Sequence, residues 1–144
     1  AVPHEAAGAV LKAAGPLAGK VLVDATNPLA DRAQRLALPN TTSGAEEIAK
    51  AAPGARVVKA FNTIGFNVMA NPGFPGGAAS LLFCGDDTDA KKSVASLAAD
   101  LGFDPVDAGP LSEARLLEPF ALLWIHLAMF RGHGREIAFR LMKR

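Results

Sequence analysis

Apolar and polar positions along the chain follow two different periods, and the two kinds of segment alternate. Short apolar runs at residues 20–25, 56–60 and 80–84 are typical of buried strands, and residues 104–107 follow as a fourth, shorter strand. Helical patterns lie before, between and after these runs. This alternation predicts an α/β domain in which the four strands form one parallel sheet. The residues expected to be buried in that sheet are Val23, Val58, Phe83 and Val106.

Local signals predict where the helices begin and end. Ser43 and Glu46 match a capping box, in which the serine oxygen accepts a hydrogen bond from the backbone amide three residues later. Residues 86–89 are rich in aspartate, which favours a helix N-terminus, and that helix is expected to end at Gly102. Residues 29–41 are expected to be irregular or a short helix, and residues 62–79 a short helix followed by a loop.

The pattern is helical from Ser112 to the last residue. Pro119 is expected to break or restart the helix, and a short basic helix is expected to close the chain. Residues 120–130 are apolar almost all round, which is more apolar surface than one core face can bury. We therefore expect this helix to pack against a second copy, giving a homodimer, or against a further amino-terminal unit.

Composition excludes several classes of protein. The chain has 144 residues, 50% of them hydrophobic and 20% charged, and a net charge of +1, which fits a single globular domain. Residues 1–110 are expected to form its sheet-bearing part and residues 111–144 its terminal helices. The sequence has no basic stripe of the kind that binds nucleic acids, and its longest apolar stretch is too short to span a bilayer. A lone, apolar-flanked Cys84 predicts an unreactive thiol and a reducing compartment, the cytoplasm.

Candidate chemistry lies where two predicted strands end, in residues 24–28 (Asp-Ala-Thr-Asn-Pro) and 59–63 (Lys-Ala-Phe-Asn-Thr). Open α/β sheets bind ligands at the carboxyl ends of their strands. Asn27 is equally consistent with a turn former and Phe61 with a core residue. Lys59 either neutralises a phosphate or, as we favour, extends past the sheet end to keep its charge in water. The sequence has no G-x-G-x-x-G turn after a strand, no metal-binding spacing of histidines and no G-x-S-x-G motif.

These motifs, together with Phe-Cys-Gly-Asp-Asp at 83–87, Leu-Gly-Phe-Asp-Pro-Val-Asp-Ala-Gly-Pro-Leu at 101–111 and Leu-Glu-Pro at 117–119, resemble the NADPH-dependent deazaflavin (coenzyme F-420) reductases. That superfamily also includes the cytosolic domain of membrane ferric reductases. The resemblance implies a Rossmann-like sheet with flanking helices and a helical C-terminal part. It also implies hydride transfer between NADPH and a small redox substrate, a deazaflavin or flavin.

The resemblance also implies roles for the residues that match the family's motifs. Val2 and Pro3 would lie against the nicotinamide ribose, and Asn27 and Pro28 would line the floor of the cleft. The residues nearest the nicotinamide and the acceptor would be Ala60, Phe61 and Asn62. Hydride transfer needs no catalytic acid, base or metal at the transferring carbon. Family members begin with a strand, a Gly-rich turn and a helix that hold the cofactor phosphates. This sequence has no such unit, so we expect a partial Rossmann-like fold with weak or absent NADP binding by this chain alone. The alternative is a non-catalytic remnant that acts as a folding or dimerisation module.

Overall fold

The structure is a computed structural model that describes residues 2–144. The strands are β1 (Val21–Asp24), β2 (Leu29–Ala30), β3 (Arg35–Leu36), β4 (Arg56–Lys59), β5 (Gly73–Phe74), β6 (Gly77–Ala78), β7 (Ser80–Gly85) and β8 (Asp104–Asp107). The helices are α1 (Ala7–Ala14), α2 (Gly44–Ala51), α3 (Phe66–Ala70), α4 (Thr88–Asp100) and α5 (Ala114–Ile125). Short 3₁₀ turns at His4–Ala6 and Leu111–Glu113 precede α1 and α5, and a π-helical turn at His126–Phe130 follows α5.

The main sheet has the order β1-β4-β7-β8 and is mixed. Strand β1 pairs parallel to β4, and β7 pairs parallel to β8, but β4 and β7 are antiparallel, with Lys59 opposite Cys84. The α/β class is confirmed, whereas the expectation that all four strands are parallel is wrong. A parallel crossover usually needs a long helix, and the connection between β4 and β7 contains only the five-residue helix α3 and the β5–β6 hairpin.

Helices cover both faces of this sheet because successive side chains of a strand point to opposite sides. Val58 and Phe83 join the cluster that packs under α4, while Val57 and Cys84 join the cluster formed with α2 and α5. Cys84 is fully buried, and burial raises the pKa of its thiol to about 12, in agreement with an unreactive cysteine. In residues 2–144 no helix has both the length and the apolarity needed to cross a membrane.

The burial prediction holds for the two central strands and is wrong for the two outer ones. Val58 and Phe83 are 0% and 4% exposed, but Val23 is 38% exposed and Val106 is half-buried. The reason is that, within residues 2–144, β1 and β8 each have a neighbouring strand on one side only. Side chains on outer strands are less shielded from solvent than those on central strands. The sequence pattern of a short strand does not reveal whether the strand is central or at the edge of the sheet.

The predicted helix ends are confirmed. Ser43 Oγ accepts a hydrogen bond from the Glu46 amide at 3.2 Å and donates one to the Glu46 carboxylate at 2.8 Å. Asp87 caps α4 by accepting from the Ala90 amide at 2.7 Å. Gly102 follows α4 with a φ of +93°, a backbone conformation that glycine adopts without strain.

The C-terminal part differs from the prediction in two respects. Helix α5 continues through Pro119, because Leu117, Glu118 and Ala121 are buried and the packing of this face outweighs the lost backbone hydrogen bond. The prediction that a short basic helix closes the chain is also wrong. Residues 131–144 contain no helix, and their backbone contacts the start of β7, where the Ser80 amide donates to the Phe139 carbonyl at 3.0 Å.

Two small hairpins replace the irregular segments expected from the sequence. Strands β2 and β3 pair antiparallel within the segment 29–41, and β5 pairs with β6 after helix α3. The tip of the first hairpin holds three consecutive residues with positive φ, from Asp31 to Ala33. Side chains other than glycine rarely adopt that conformation, so this tip is a strained segment beside the loop that follows β1.

Candidate functional site

The loops that follow β1 and β4 lie side by side, because these strands are parallel neighbours with Asp24 opposite Lys59. The Ala60 amide donates to the Asp24 carbonyl at 3.0 Å and continues the pairing beyond the strands. The sequence motifs at residues 24–28 and 59–63 are therefore brought together at one end of the sheet. This is the place where open α/β folds bind ligands.

Asn27 and Asn62 form a reciprocal pair across the two loops. Asn27 Nδ2 donates to the Asn62 carbonyl at 2.9 Å, and Asn62 Nδ2 donates to Asn27 Oδ1 at 3.1 Å. Asn62 Nδ2 also donates to the Leu117 carbonyl at 3.1 Å, which ties this loop to α5. Asn62 is 6% exposed, and its Oδ1 atom is buried without a hydrogen-bond partner among residues 2–144. Burying an amide oxygen without a hydrogen-bond donor costs free energy. A ligand that donated a hydrogen bond to Asn62 Oδ1 would remove this cost.

Phe61, the residue directly before Asn62, has a strained backbone. Phe61 has a φ of +64°, and its half-buried ring packs edge-on against Phe103 with ring centroids 6.3 Å apart. Such strain in a residue other than glycine concentrates at ligand sites and tight turns. This strained residue directly precedes Asn62, whose side chain pairs with Asn27.

The remaining predicted site residues lie around this pair at different depths. Pro28 and Ala60 are buried, so their side chains support the loops from below. Val2 lines a groove of about 270 Å³ with Ala25 and Thr26, which places it next to the loop that carries Asn27. Pro3 is exposed, and its carbonyl accepts from the Ala6 amide at the start of the first helical turn.

A buried ionic cluster lies directly beneath the asparagine pair, and the sequence did not reveal it. Lys59 Nζ donates to the Asp24 carboxylate at 2.8 Å, to the Glu118 carboxylate at 2.9 Å and to the Thr26 carbonyl at 2.6 Å. All three charged side chains are at most 2% exposed. The expectation that Lys59 extends past the end of the sheet is therefore wrong, because its ammonium group is held inside by two carboxylates.

Glu118 also binds the N-terminus of helix α2. Its two oxygens accept from the Gly44 amide at 3.0 Å and the Ala45 amide at 3.2 Å. Unpaired amides and the helix dipole make this position favourable for a negative charge. The cluster holds two carboxylates and one ammonium group, so the α2 terminus supplies the additional positive potential.

An apolar pocket of about 300 Å³ adjoins the same two loops on the α5 side. Its lining includes Leu29, Phe66, Trp124 and Ile125, together with Arg32 and Arg135. The Arg135 guanidinium lies 5.7 Å from the centre of the Phe66 ring, a distance at which cation and ring attract. The pocket thus combines flat apolar walls with two cationic side chains. No group of three or more His, Cys, Asp or Glu side chains in residues 2–144 could hold a metal ion.

A solved structure from Arthrobacter sp. FB24, provisionally assigned as an F420-dependent NADP reductase, superposes on 99% of this chain with a TM-score of 0.90 and 37% sequence identity. The match covers 67% of that structure. The chain belongs to the F420-dependent NADP reductase family. Another solved structure, of a hypothetical protein from Sinorhizobium meliloti, is 29% identical over the whole chain with a TM-score of 0.74.

Curated relatives agree with this F420-dependent NADP reductase assignment. The F420-dependent NADP reductase of Methanocaldococcus jannaschii is 32% identical over 127 residues, and Metalloreductase STEAP3 of Rattus norvegicus is 38% identical over 123 residues. The matches cover 84% and 85% of this chain but only 56% and 24% of the respective relatives. No family model matches the chain. The resemblance stated from the motifs is confirmed at the level of the family.

Proposed function

We propose that this chain forms the nicotinamide and acceptor side of an NADP-dependent oxidoreductase, which transfers hydride between NADPH and a deazaflavin- or flavin-like acceptor. The observation that carries the proposal is the Asn27–Asn62 pair at the ends of the parallel strands β1 and β4. Family membership supports it, because the relatives include NADP reductases. NADPH supplies the hydride when it is bound, and the residues around it bind, orient and exclude water.

The residues present fit the nicotinamide end of the cofactor better than its phosphate end. The unpartnered Oδ1 of Asn62 is an acceptor suited to the amide hydrogens of a carboxamide. Asn27 is half-buried beside it and keeps the second loop in register. For the pyrophosphate, the sequence has no strand followed by a Gly-rich turn and a helix, the arrangement that usually binds this group.

We assign the acceptor to the apolar pocket beside α5. A flat, aromatic acceptor fits walls made by Phe66 and Trp124, and the guanidinium groups of Arg32 and Arg135 suit an anionic tail on that molecule. Because Leu29 follows Pro28 directly and Gly65 lies on the chain just after Asn62, the pocket continues from the asparagine loops. A nicotinamide at the asparagine pair and an acceptor in this pocket would then have adjacent rings, as hydride transfer requires.

The chain as given is expected to bind NADPH with a dissociation constant no tighter than about 0.1 mM, which corresponds to about −5.5 kcal/mol. The physical reason is that most orienting contacts to a dinucleotide come from a phosphate-binding turn. Titration followed by NADPH fluorescence measures the constant. In parallel, a version with a strand–Gly-rich turn–helix unit ahead of residue 1 is expected to bind NADPH at least tenfold more tightly.

In that extended version, Asn62→Ala is expected to slow hydride transfer to a flavin, while Asn67→Ala serves as the control. Asn67 lies on α3 and donates to the exposed Glu136, so it carries the same amide away from the asparagine pair. Micromolar NADPH binding by the given chain would mean that these residues include a binding site for the cofactor phosphates, which contradicts the proposal. Absence of hydride transfer in both versions would favour the non-catalytic module instead. The cytoplasm stays a prediction, based on the single buried cysteine.

We further propose that the functional form is a homodimer. Leu116, Phe120 and Leu123 follow one another on α5 at steps of four and three residues, the spacing of a helix-pairing seam, and Leu127 and Phe130 extend the apolar surface into the π-helical turn. Three of them remain largely exposed: Leu116 at 65%, Leu123 at 50% and Phe130 at 50%. Trp124, in contrast, is buried within one copy, so the surface left for the second copy is this seam.

Sedimentation equilibrium is expected to show a dimer that Leu123→Lys converts to a monomer. An ammonium group in the middle of the seam must leave water when the two helices pair, which costs more than the lost leucine contact alone. Leu97→Lys on α4 is the matched control, because Leu97 is similarly exposed, at 46%, but lies off the seam. A monodisperse monomer of the unsubstituted chain at 0.1 mM or so, well above typical dimer dissociation constants, would rule the dimer out.

A further inference from the structure

The buried Lys59–Asp24–Glu118 cluster has no part in the ligand contacts proposed above, although it lies directly beneath them. The three ammonium hydrogens of Lys59 have three acceptors, in Asp24, Thr26 and Glu118, and both Glu118 oxygens accept hydrogen bonds. The polar atoms of all three side chains are already paired within the protein, so the cluster has no free group to offer a substrate. The cluster therefore acts, if at all, by holding other residues in place.

Glu118 links four of the elements around the candidate site, namely β1, β4, α2 and its own helix α5. Through Lys59 it is linked to the ends of β1 and β4, and through two backbone amides it is linked to the start of α2. Its neighbour on α5, Leu117, accepts the hydrogen bond from Asn62. About two turns further along the same helix, Trp124 and Ile125 line the apolar pocket. One carboxylate thus fixes both the asparagine loops and the helix that carries the pocket wall.

We propose that Glu118 is a positioning residue that sets the distance between the nicotinamide end of the site and the acceptor pocket. This inference rests on the proposed function. Hydride transfer requires two rings to be aligned within contact distance, and a small displacement of one binding region relative to the other slows the reaction strongly. A buried, multiply hydrogen-bonded carboxylate between the two regions holds them in one arrangement.

Glu118→Gln tests the inference first in the chain as given, by NMR of the side-chain amide of Asn62. The glutamine keeps the size of the side chain but removes its charge and presents an NH₂ group to donors. We expect the Asn62 side-chain resonances to shift and their hydrogen exchange to accelerate at least tenfold, because α5 no longer holds Leu117 in place. Glu46→Gln is the matched control, since Glu46 also joins α2 to α5, through hydrogen bonds from Arg115 at 2.9 and 2.6 Å.

Gly44→Ala provides a second variant if Glu118→Gln does not fold. A Cβ atom at residue 44 would lie 2.8 Å from the His4 ring, which must move, and 3.1 Å from Glu118 Oε1, which must yield by a few tenths of an ångström, with no change of charge. The same Asn62 resonances are expected to move. If Asn62 is unchanged in both variants, or changes equally in Glu46→Gln, the inference is overturned.

The kinetic test uses the form that transfers hydride. Glu118→Gln is expected to lower kcat at least tenfold while KM for NADPH stays within about twofold, the division expected of a residue that aligns bound rings. Equal losses in kcat and in NADPH affinity would overturn the positioning role. Failure of the proposed function gives a different result from failure of this inference. In that case the unsubstituted protein transfers no hydride, although the NMR effect of Glu118→Gln persists.

Discussion

Lys59→Met is expected to lower the free energy of unfolding by about 3–5 kcal/mol. Methionine has a similar length and keeps the packing of the side chain, but it leaves the carboxylates of Asp24 and Glu118 buried without their shared cation. Two like charges then face each other in a medium that solvates them poorly, and the Thr26 carbonyl also loses its donor. This cost is larger than the loss of any exposed ion pair in the chain.

Urea unfolding monitored by circular dichroism measures this loss. Lys50→Met is the matched control, because Lys50 pairs with Glu47 on the exposed surface of α2, where an ion pair contributes little. Combining Lys59→Met with Asp24→Asn and Glu118→Gln removes the unpaired charges and is expected to recover part of the stability. A loss below about 1 kcal/mol for Lys59→Met alone would contradict a charged, fully desolvated cluster.

Local patterns predicted those parts of the fold that depend on local interactions. The capping box at Ser43, the cap at Asp87 and the turn at Gly102 are decided within a few residues, and the structure confirms them. The four main strands also lie where the apolar runs indicate. Their direction was not predictable in the same way, because the orientation of β7 depends on what the preceding connection can span, and the hairpins within it left no clear pattern.

The asparagine pair was predictable and the ionic cluster was not, for a physical reason. Asn27 and Asn62 each lie three residues beyond the end of a strand, so the parallel pairing of β1 and β4 is enough to bring them together. Lys59 depends in addition on Glu118, which is 59 residues away on a helix whose packing the sequence does not specify. The sequence did contain one signal for the cluster. Asp24 ends one strand and Lys59 ends the neighbouring strand, so an ion pair between them was predictable. Whether these residues bind a cofactor stays a prediction, as does the division of the chain at residue 110.

Trp124→Ala is expected to destabilise the protein by about 3–5 kcal/mol, the range for removing a buried tryptophan. The side chain is 8% exposed and closes the apolar pocket, and a Cβ atom at Gly65 would lie only 2.7 Å from its ring. The indole Nε1 also donates to the Ile137 carbonyl at 2.8 Å, which anchors the C-terminal segment to α5. Alanine removes both the ring contacts and this anchor.

Two measurements separate these contributions. Urea unfolding gives the total loss, and hydrogen exchange of the Ser80 and Leu141 amides reports the docking of the C-terminal segment, because both donate across that contact. Trp124→Phe keeps an aromatic ring but not the donor, so we expect a smaller loss of stability together with faster exchange at Leu141. If Trp124→Ala cost less than about 1 kcal/mol while the Leu141 amide stayed protected, the ring would be dispensable for the core. The C-terminal segment would then be held by its other contacts, which join Glu136 to Asn67, Phe139 to Phe120, and the backbone to Ser80.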